Sequence, residues 1–235
     1  MREWLYLLGP MEKPSDPPKW FERDDGDVRL AHDRSLIRSA YPDLTFALNF
    51  KLRRVSLRGT ITLKEEKSGI PTPIRTKIVF PDDYPEREPV AADDGDHFEH
   101  VPDRHFYKTG DCCLWLPVET QWRRDDPEAL LNYVHQVALF FERQLMYDAS
   151  GFWGWGQRGH DKAGYIEFLE VRLDGDEKLI ELFLPVILRG SSIHRRSKCP
   201  CKSGRDYIMC HKAKVEEIKN LIAYTRDIGI NHLLN

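Results

Sequence analysis

A chain of 235 residues holds one full domain with an appendage, or two modest domains. Hydrophobic residues at 41% suffice for a core, and charged residues at 31% are typical of a soluble protein. A net charge of only -3 excludes both the global basic field of a nucleic-acid binder and a strongly acidic tail.

In chain order, Trp4–Leu8 is too short for a signal-peptide core and lacks a small-residue cleavage site, so it is read as the first structural element. No apolar run approaches the roughly 20 residues that span a bilayer. The expected location is the cytoplasm, with no membrane partner. Residues 10–27, rich in Pro, Lys and Asp, read as a lead-in loop. The spacing of Val28, Leu30, Ala31, Leu36, Ile37 and Ala40 predicts a helix over 28–41, ended by Pro42. Period-two alternation then predicts strands at Leu44–Leu48, Val55–Leu57, Thr60–Leu63 and Ile74–Phe80, broken at Gly59 and at Gly69 to Pro73. Pro81 to Pro89 is a proline-rich turn. Residues 90–127 lack periodicity and concentrate His, Asp, Gly, Cys and Trp, a pattern that usually marks function.

The strongest helix is predicted at 127–147, with Leu130, Leu131, Val134, Val137, Ala138, Phe141 and Leu145 on one stripe. A glycine-aromatic loop, 151–156, follows; its Trp residues are read as capping a core. A helix is expected at 162–172, followed by a second apolar segment at 178–188, a basic linker at His194–Lys198 and a short amphipathic helix at 212–223.

The five cysteines form a mid-chain pair, Cys112 and Cys113, and a C-terminal trio, Cys199, Cys201 and Cys210. An odd number in a cytoplasmic chain argues against a disulfide framework. Around Cys113 stand His97, His100, His105, Arg104 and Lys108, with Gly110 three residues before it. Polar and cationic neighbours favour the thiolate, the reactive form. Taken alone, this setting also suits a buried structural thiol, the more common role of a cysteine. In the C-terminal trio, Cys-x-Cys and Cys-His lie within thirteen residues, and Cys199, Cys201, Cys210 and His211 supply the four S/N ligands that zinc prefers. So short a segment has no core of its own, so one structural zinc ion would fold it. The surrounding Arg195, Arg196, Lys198, Lys202, Lys212, Lys214 and Lys219 read as a solvated face, with docking as the alternative.

The mid-chain string resembles the ubiquitin-conjugating enzymes. The resemblance rests on Phe80-Pro-Asp-Asp-Tyr84-Pro85-Glu-Arg-Glu-Pro89, then Gly110-Asp-Cys-Cys113-Leu114, Trp122 and Pro127 before the long helix, and covers about 28–147. It implies an α+β fold of ubiquitin-conjugating type: an N-terminal helix, a four-stranded antiparallel meander and C-terminal helices. By register with that family's Gly-x-x-Cys-Leu, Cys113 corresponds to the thioester-forming cysteine, and Cys112 to a small buried residue. The family's His-Pro-Asn is matched only by His100-Val-Pro102-Asp103. Asp103 thus stands where an oxyanion-stabilising Asn is expected, and an ionised Asp cannot donate that hydrogen bond. His105, eight residues before Cys113, fits a variant of some bacterial relatives and is the candidate for polarising the acyl oxygen or accepting a proton.

The string Cys199-Pro-Cys201-Lys-Ser203-Gly204-Arg-Asp-Tyr207-Ile-Met-Cys210-His211 resembles the SEC-C motif of the preprotein translocase ATPase. Together the resemblances imply a lead-in (1–27), a catalytic domain (28–150), a helical or linker extension (151–193) and a SEC-C zinc motif with its C-terminal helix (194–235). They imply an acyl carrier that takes a protein C-terminus as a thioester on Cys113 and passes it to an amine. The implied partners are an activating enzyme, with a ubiquitin-like protein or a nucleotide cyclase as cargo, in bacterial antiphage defence. The alternatives are a protein-binding scaffold, or a cysteine hydrolase using Cys113 and His105.

Overall fold

The computed structural model describes residues 19–49, 51–64, 71–153, 159, 161–188 and 190–227. The expected first element, Trp4–Leu8, and most of the glycine-aromatic loop lie outside them. Helix α1 (Asp24–Ala40) leads into a four-stranded antiparallel sheet in the order β1-β2-β3-β4: β1 Leu44–Asn49, β2 Arg54–Lys64, β3 Pro71–Val79 and β4 Val90–Asp93. Four helices follow: α2 Ala129–Ser150, α3 Asp161–Arg172, α4 Glu177–Leu188 and α5 Lys212–Asp227. The architecture is α+β. No helix among the described residues is long and apolar enough to cross a membrane.

The sheet has the expected number of strands, divided differently. Val55–Leu57 and Thr60–Leu63 belong to one continuous strand, β2, which passes through Gly59 without breaking. Gly59 sits opposite Leu44 at φ +147°, and a Cβ there would lie 1.9 Å from the Asp43 carbonyl oxygen. The glycine therefore admits the start of β1 at close range and is no turn signal. The fourth strand, β4, comes from the segment read as irregular; it is only four residues long.

Helix α1 starts four residues earlier than the apolar spacing predicts, and only part of the predicted face is buried. Val28 is 71% exposed, whereas Gly26, Asp33 and Ile37 are buried and Leu30 packs on the core. Asp33 is held inside by Arg29 at 3.0 Å and by the Tyr84 hydroxyl, which donates at 2.5 Å. That bond ties α1 to the proline-rich turn. Tyr84 in turn packs among Trp20, Phe80 and Trp122.

Among the described residues there are two hydrophobic cores. The first joins α1, the sheet and the inner face of α2. The second joins α3, α4 and α5 through Phe168, Leu173, Phe183, Ile187, Val215 and Ile218, together with Cys199 and Tyr207. Each of these helices presents apolar residues at three- and four-residue steps, which is what buries one stripe. Residues of 151–193 and of 194–235 thus share a single core. Leu116 and Val118, from the loop after Cys113, are buried in it too.

Candidate functional site

The eight-residue spacing between His105 and Cys113 is closed by a hairpin. The Gly110 N–H donates to Tyr107 O at 2.8 Å, forming the turn. Tyr107 N–H donates to Asp111 O at 2.9 Å, Phe106 bridges Cys112, and Cys113 N–H donates to His105 O at 2.8 Å. In this antiparallel register His105 is the cross-strand partner of Cys113.

The returning arm is also tied to the sheet. Cys112 N–H donates to Ala91 O at 2.8 Å, and Asp93 N–H to Gly110 O at 3.1 Å, so the cysteine segment extends the sheet beyond β4. Gly110 has φ +84°, and a Cβ on it would meet the His100 ring at 2.9 Å. This is a close approach that only glycine permits.

The anchor of this arrangement is Asp93, whose side chain is buried. Its carboxylate accepts the backbone N–H groups of Gly95 (3.1 Å), His97 (2.7 Å) and Phe98 (3.1 Å). The rings of His97 and His100 each lie 3.2 Å from it. Burial alone would raise the Asp93 pKa, but the Phe98 and Gly95 amides and the two rings outweigh it and hold the carboxyl below its usual range. His97 and His100, counted in the sequence as cationic neighbours of Cys113, serve this anchor instead.

The 3-10 turn Pro102–Arg104 places His105, which adopts a left-handed backbone at φ 57°. Arg104 is buried against α2: its Nε donates to Gln144 Oε1 at 3.0 Å, the Gln144 amide donates back to Arg104 O at 2.9 Å, and Asp148 stands 2.8 Å away. Replacing Gln144 by Leu would leave a buried guanidinium nitrogen and a carbonyl without partners. We expect a loss of about 2–6 kcal/mol, from about 1–3 kcal/mol for each of the two orphaned buried groups, read by urea unfolding. A loss below about 0.5 kcal/mol would mean that the pair does not fix this turn.

Glu88, from the proline-rich turn, holds the loop beyond the cysteines. It accepts Trp115 Nε1 at 3.0 Å and the Thr120 hydroxyl, and burial raises its carboxyl pKa. The turn therefore positions the Cys113 loop as well as the core.

Cys113 is half-buried and lies between two cavities. One, of about 680 Å³, is lined by His105, Cys113, Trp115, Arg123, Arg143, Trp153 and Arg172, among others. The other, of about 160 Å³, includes His105, Cys113, Tyr107, Lys108, Leu116 and Tyr165. His105, Cys113 and Trp115 form the wall common to both. Cys112 lines neither; burial first, and then the charges of Asp93 and Asp111, push its thiol well above the ordinary value. Asp103 is exposed on its turn and lines neither cavity, so the structure does not bring it to Cys113. Sequence reading missed Arg123, Arg143 and Arg172. Arg172 comes from α3 and Leu221 of the same cleft from α5, so distance along the chain hid them. Trp153, half-buried, stacks on Tyr147 at 4.6 Å and meets the His105 ring edge-on at 5.9 Å. It thus contributes to the site's wall and packs on Tyr147 of α2, without entering either hydrophobic core.

The C-terminal cluster is assembled as its spacing suggests. The Sγ atoms of Cys199, Cys201 and Cys210 and a ring nitrogen of His211 lie within 4.8 Å of one another and could hold a metal ion. Cys199 N–H donates to Arg205 O at 2.8 Å and Lys202 N–H to Cys199 O at 3.1 Å, folding the loop that carries Cys201. Cys201 Sγ is 3.2 Å from the Ser203 hydroxyl, whose contact lowers that thiol's pKa, while burial raises that of Cys199. The His211 ring rests on Phe183 at 5.1 Å and Tyr207 stacks on the same residue at 6.2 Å, which fixes the cluster to the second core.

No family model matches the chain, and no curated protein matches it. Among solved structures, it is similar to the yeast vps23 UEV domain in complex with a vps27 PSDP peptide. That likeness has 18% identity and a TM-score of 0.36, over 50% of this chain and 81% of that one.

Proposed function

We propose that the chain is an acyl carrier of ubiquitin-conjugating type. The observation that carries this reading is the hairpin register, which sets His105 across from Cys113 on a wall shared by two cavities. A thiol that must receive an acyl group from one macromolecule and surrender it to another needs access of this kind.

In the first step the Cys113 thiolate attacks the carbonyl carbon of a thioester held on an activating enzyme. A new C–S bond forms, the old one breaks, and the partner's sulfur leaves as thiolate. In the second step an amine nitrogen attacks the same carbon and Cys113 leaves as thiolate. His105 takes the proton that the amine gives up. Cys112, with its raised pKa, stays protonated and does not compete. The cargo is a ubiquitin-like protein or a nucleotide cyclase C-terminus, and the setting in bacterial antiphage defence comes from the sequence resemblance.

The C-terminal cluster fits structural zinc. A tetrahedron with arms of about 2.3 Å has edges of about 3.8 Å. The Cys201–Cys210, Cys199–His211 and Cys210–His211 separations of 3.6, 3.3 and 3.2 Å need little adjustment to reach it. Three thiolates and one imidazole would close the shell. The ion would supply stability, and Cys199, Cys201, Cys210 and His211 would supply its ligands.

The test is a non-reducing gel after mixing the chain with an activating enzyme, ATP and a ubiquitin-like protein. A thiol-sensitive adduct is expected, present in Cys112→Ala and abolished in Cys113→Ala. An adduct that survives Cys113→Ala overturns the reading, and one that turns over to free acid makes the protein a hydrolase.

A further inference from the structure

Trp115 lines three cavities. Two are those at Cys113, of about 680 and 160 Å³. The third, of about 310 Å³, is bounded by Trp122 and, from α2, by Asn132, Tyr133 and His135. The indole is therefore a partition, and whatever fixes it fixes the shape of the space around Cys113.

The partition is clamped from the proline-rich turn. Trp115 Nε1 donates to both oxygens of Glu88, at 3.0 and 3.1 Å, and the Thr120 hydroxyl donates to the same carboxylate. Between Trp115 and Thr120 the chain makes the 3-10 turn Pro117–Glu119, so one carboxylate closes the loop on itself. The Trp115 ring also meets Tyr133 edge-on at 6.0 Å. Just beyond the loop, Trp122 Nε1 donates to Pro85 O at 2.9 Å, in the turn that carries Glu88. Holding a carboxylate part-buried costs free energy that a packed apolar side chain would not. What it adds is direction, because a charged acceptor orients one N–H and so one ring plane.

The small cavity has the dimensions of a passage. Its volume of about 160 Å³ equals that of about five water molecules in the liquid. It falls below the about 300–1,000 Å³ of sites that enclose a whole small molecule, so it admits one slender chain. Phe106, Leu116 and Tyr165 supply apolar wall beside Trp115. Apolar surroundings disfavour the ammonium form of an entering amine, and Lys108, exposed in the same lining, disfavours it further. The neutral amine is the form that attacks a thioester. The larger cavity has room for several residues of an extended chain, the tail of the cargo.

From these observations we infer that Trp115, held by Glu88, selects the acceptor: it admits a primary amine on an unbranched aliphatic chain through the small cavity and turns away bulkier amines. The inference rests on the acyl-carrier reading for the thioester. The amine nitrogen attacks the thioester carbon, the C–S bond breaks with Cys113 leaving as thiolate, and His105 receives the proton. Trp115 takes no part in those bond changes. It determines specificity, and Glu88, which acts through it, is a positioning residue.

The test loads the full-length Cys112→Ala protein without an activating enzyme, by thiol exchange with a short peptide ending in Gly-Gly and activated as its mercaptoethanesulfonate thioester. The adduct on Cys113 is identified by mass and by its loss in hydroxylamine. It is then discharged with n-butylamine or with adamantylethylamine, which carry the same CH₂NH₂ head on chains of different width. Each rate is divided by that of the free thioester. We expect butylamine to be favoured by about tenfold or more. Trp115→Ala should bring the ratio close to unity, Glu88→Leu and Trp115→Phe should each lower it about threefold, and Glu88→Gln, which keeps an acceptor for the indole, should retain most of it. The Glu88→Leu, Trp115→Phe double variant should be as selective as Trp115→Phe alone, since both changes act on one indole. Circular dichroism checks folding, and if Glu88→Leu does not fold, Trp115→Phe against Glu88→Gln carries the comparison. A ratio near unity in the parent protein, or an unchanged ratio in folded Trp115→Ala, would overturn the inference, while the adduct itself leaves the acyl-carrier reading standing. Additive losses in the double variant would remove Glu88 from it. Absence of any hydroxylamine-sensitive adduct on Cys113 would count against the acyl-carrier reading and take the inference with it.

Discussion

Chelation of metal from the C-terminal cluster is expected to melt the second core and leave the first standing. The four ligand atoms of Cys199, Cys201, Cys210 and His211 lie within 4.8 Å of one another, and without an ion three thiols and a ring would crowd one point with little to bind them. Structural zinc contributes on the order of 10 kcal/mol in sites of this kind, as much as the whole stability of an ordinary domain. The consequence spreads because Cys199 and Tyr207 are themselves core residues, packed with Phe183, Val215 and Ile218. Hydrogen exchange measures this region by region. With a chelator, amides of α3, α4 and α5 should lose protection by several orders of magnitude, while β2 and β3 keep theirs. Metal analysis should give one ion per chain, lost in a Cys201→Ser, Cys210→Ser double variant. Unchanged protection of α5 after the metal is removed would show that apolar packing alone holds this unit. Arg172 and Leu221 belong to the same unit, so its melting would also remove one wall of the cleft at Cys113.

The second large effect is expected at Asp93. Its carboxylate accepts three backbone N–H groups and two imidazole contacts, all within 3.2 Å. Asn at this position presents one acceptor and turns an NH₂ toward groups that already donate. Each buried donor left unsatisfied costs about 1–3 kcal/mol, so Asp93→Asn should destabilise the protein by about 3–5 kcal/mol in urea unfolding. On the acyl-carrier reading proposed above it should also slow loading of Cys113, because Asp93 holds the backbone that shapes the Gly110–Cys113 arm. The wild-type protein should show the matching pH dependence. The Asp93 pKa is lower in the folded chain than in the unfolded one, so its contribution is complete above about pH 4 and is lost as the pH falls through the lower, folded value. An Asp93→Asn variant with the same acid sensitivity and the same unfolding midpoint as the wild type would contradict the anchoring role.

Several elements were legible in the sequence for the right physical reason. Helix α2 has a long apolar stripe, and Leu130, Val134, Val137 and Phe141 from that stripe are buried in it. The C-terminal cluster was legible because its four ligands lie within thirteen residues, so local chain geometry brings them together. Other elements were found for the wrong reason or not at all. Helix α1 was expected from Val28 and its neighbours, yet its inner face carries Gly26 and Asp33, which hydrophobicity cannot flag. Strand β4 escaped because four residues are too few for alternation to register, and because its pairing with β3 is set by tertiary structure. Gly59 was mistaken for a break because a glycine in a strand and a glycine in a turn look alike until the neighbouring backbone is known. The hairpin linking His105 to Cys113 left a faint trace in Thr109-Gly110 between Phe106 and Cys112. Its decisive hydrogen bonds are backbone bonds, which carry no residue signature. The cleft's third arginine lies 59 positions beyond Cys113 in the numbering, outside the reach of any local pattern.

The loop after Cys113 is sewn into both cores: Leu114 and Trp115 pack against the first, Leu116 and Val118 into the second. The two units are therefore not interchangeable parts. A chain ending after α2 would carry Leu116 and Val118 as an uncovered apolar strip close to Cys113. Grafting the C-terminal unit onto another protein would strand the opposite half of the seam. Recombination could separate such units only by rewriting the loop that follows Cys113, so the two should have travelled together.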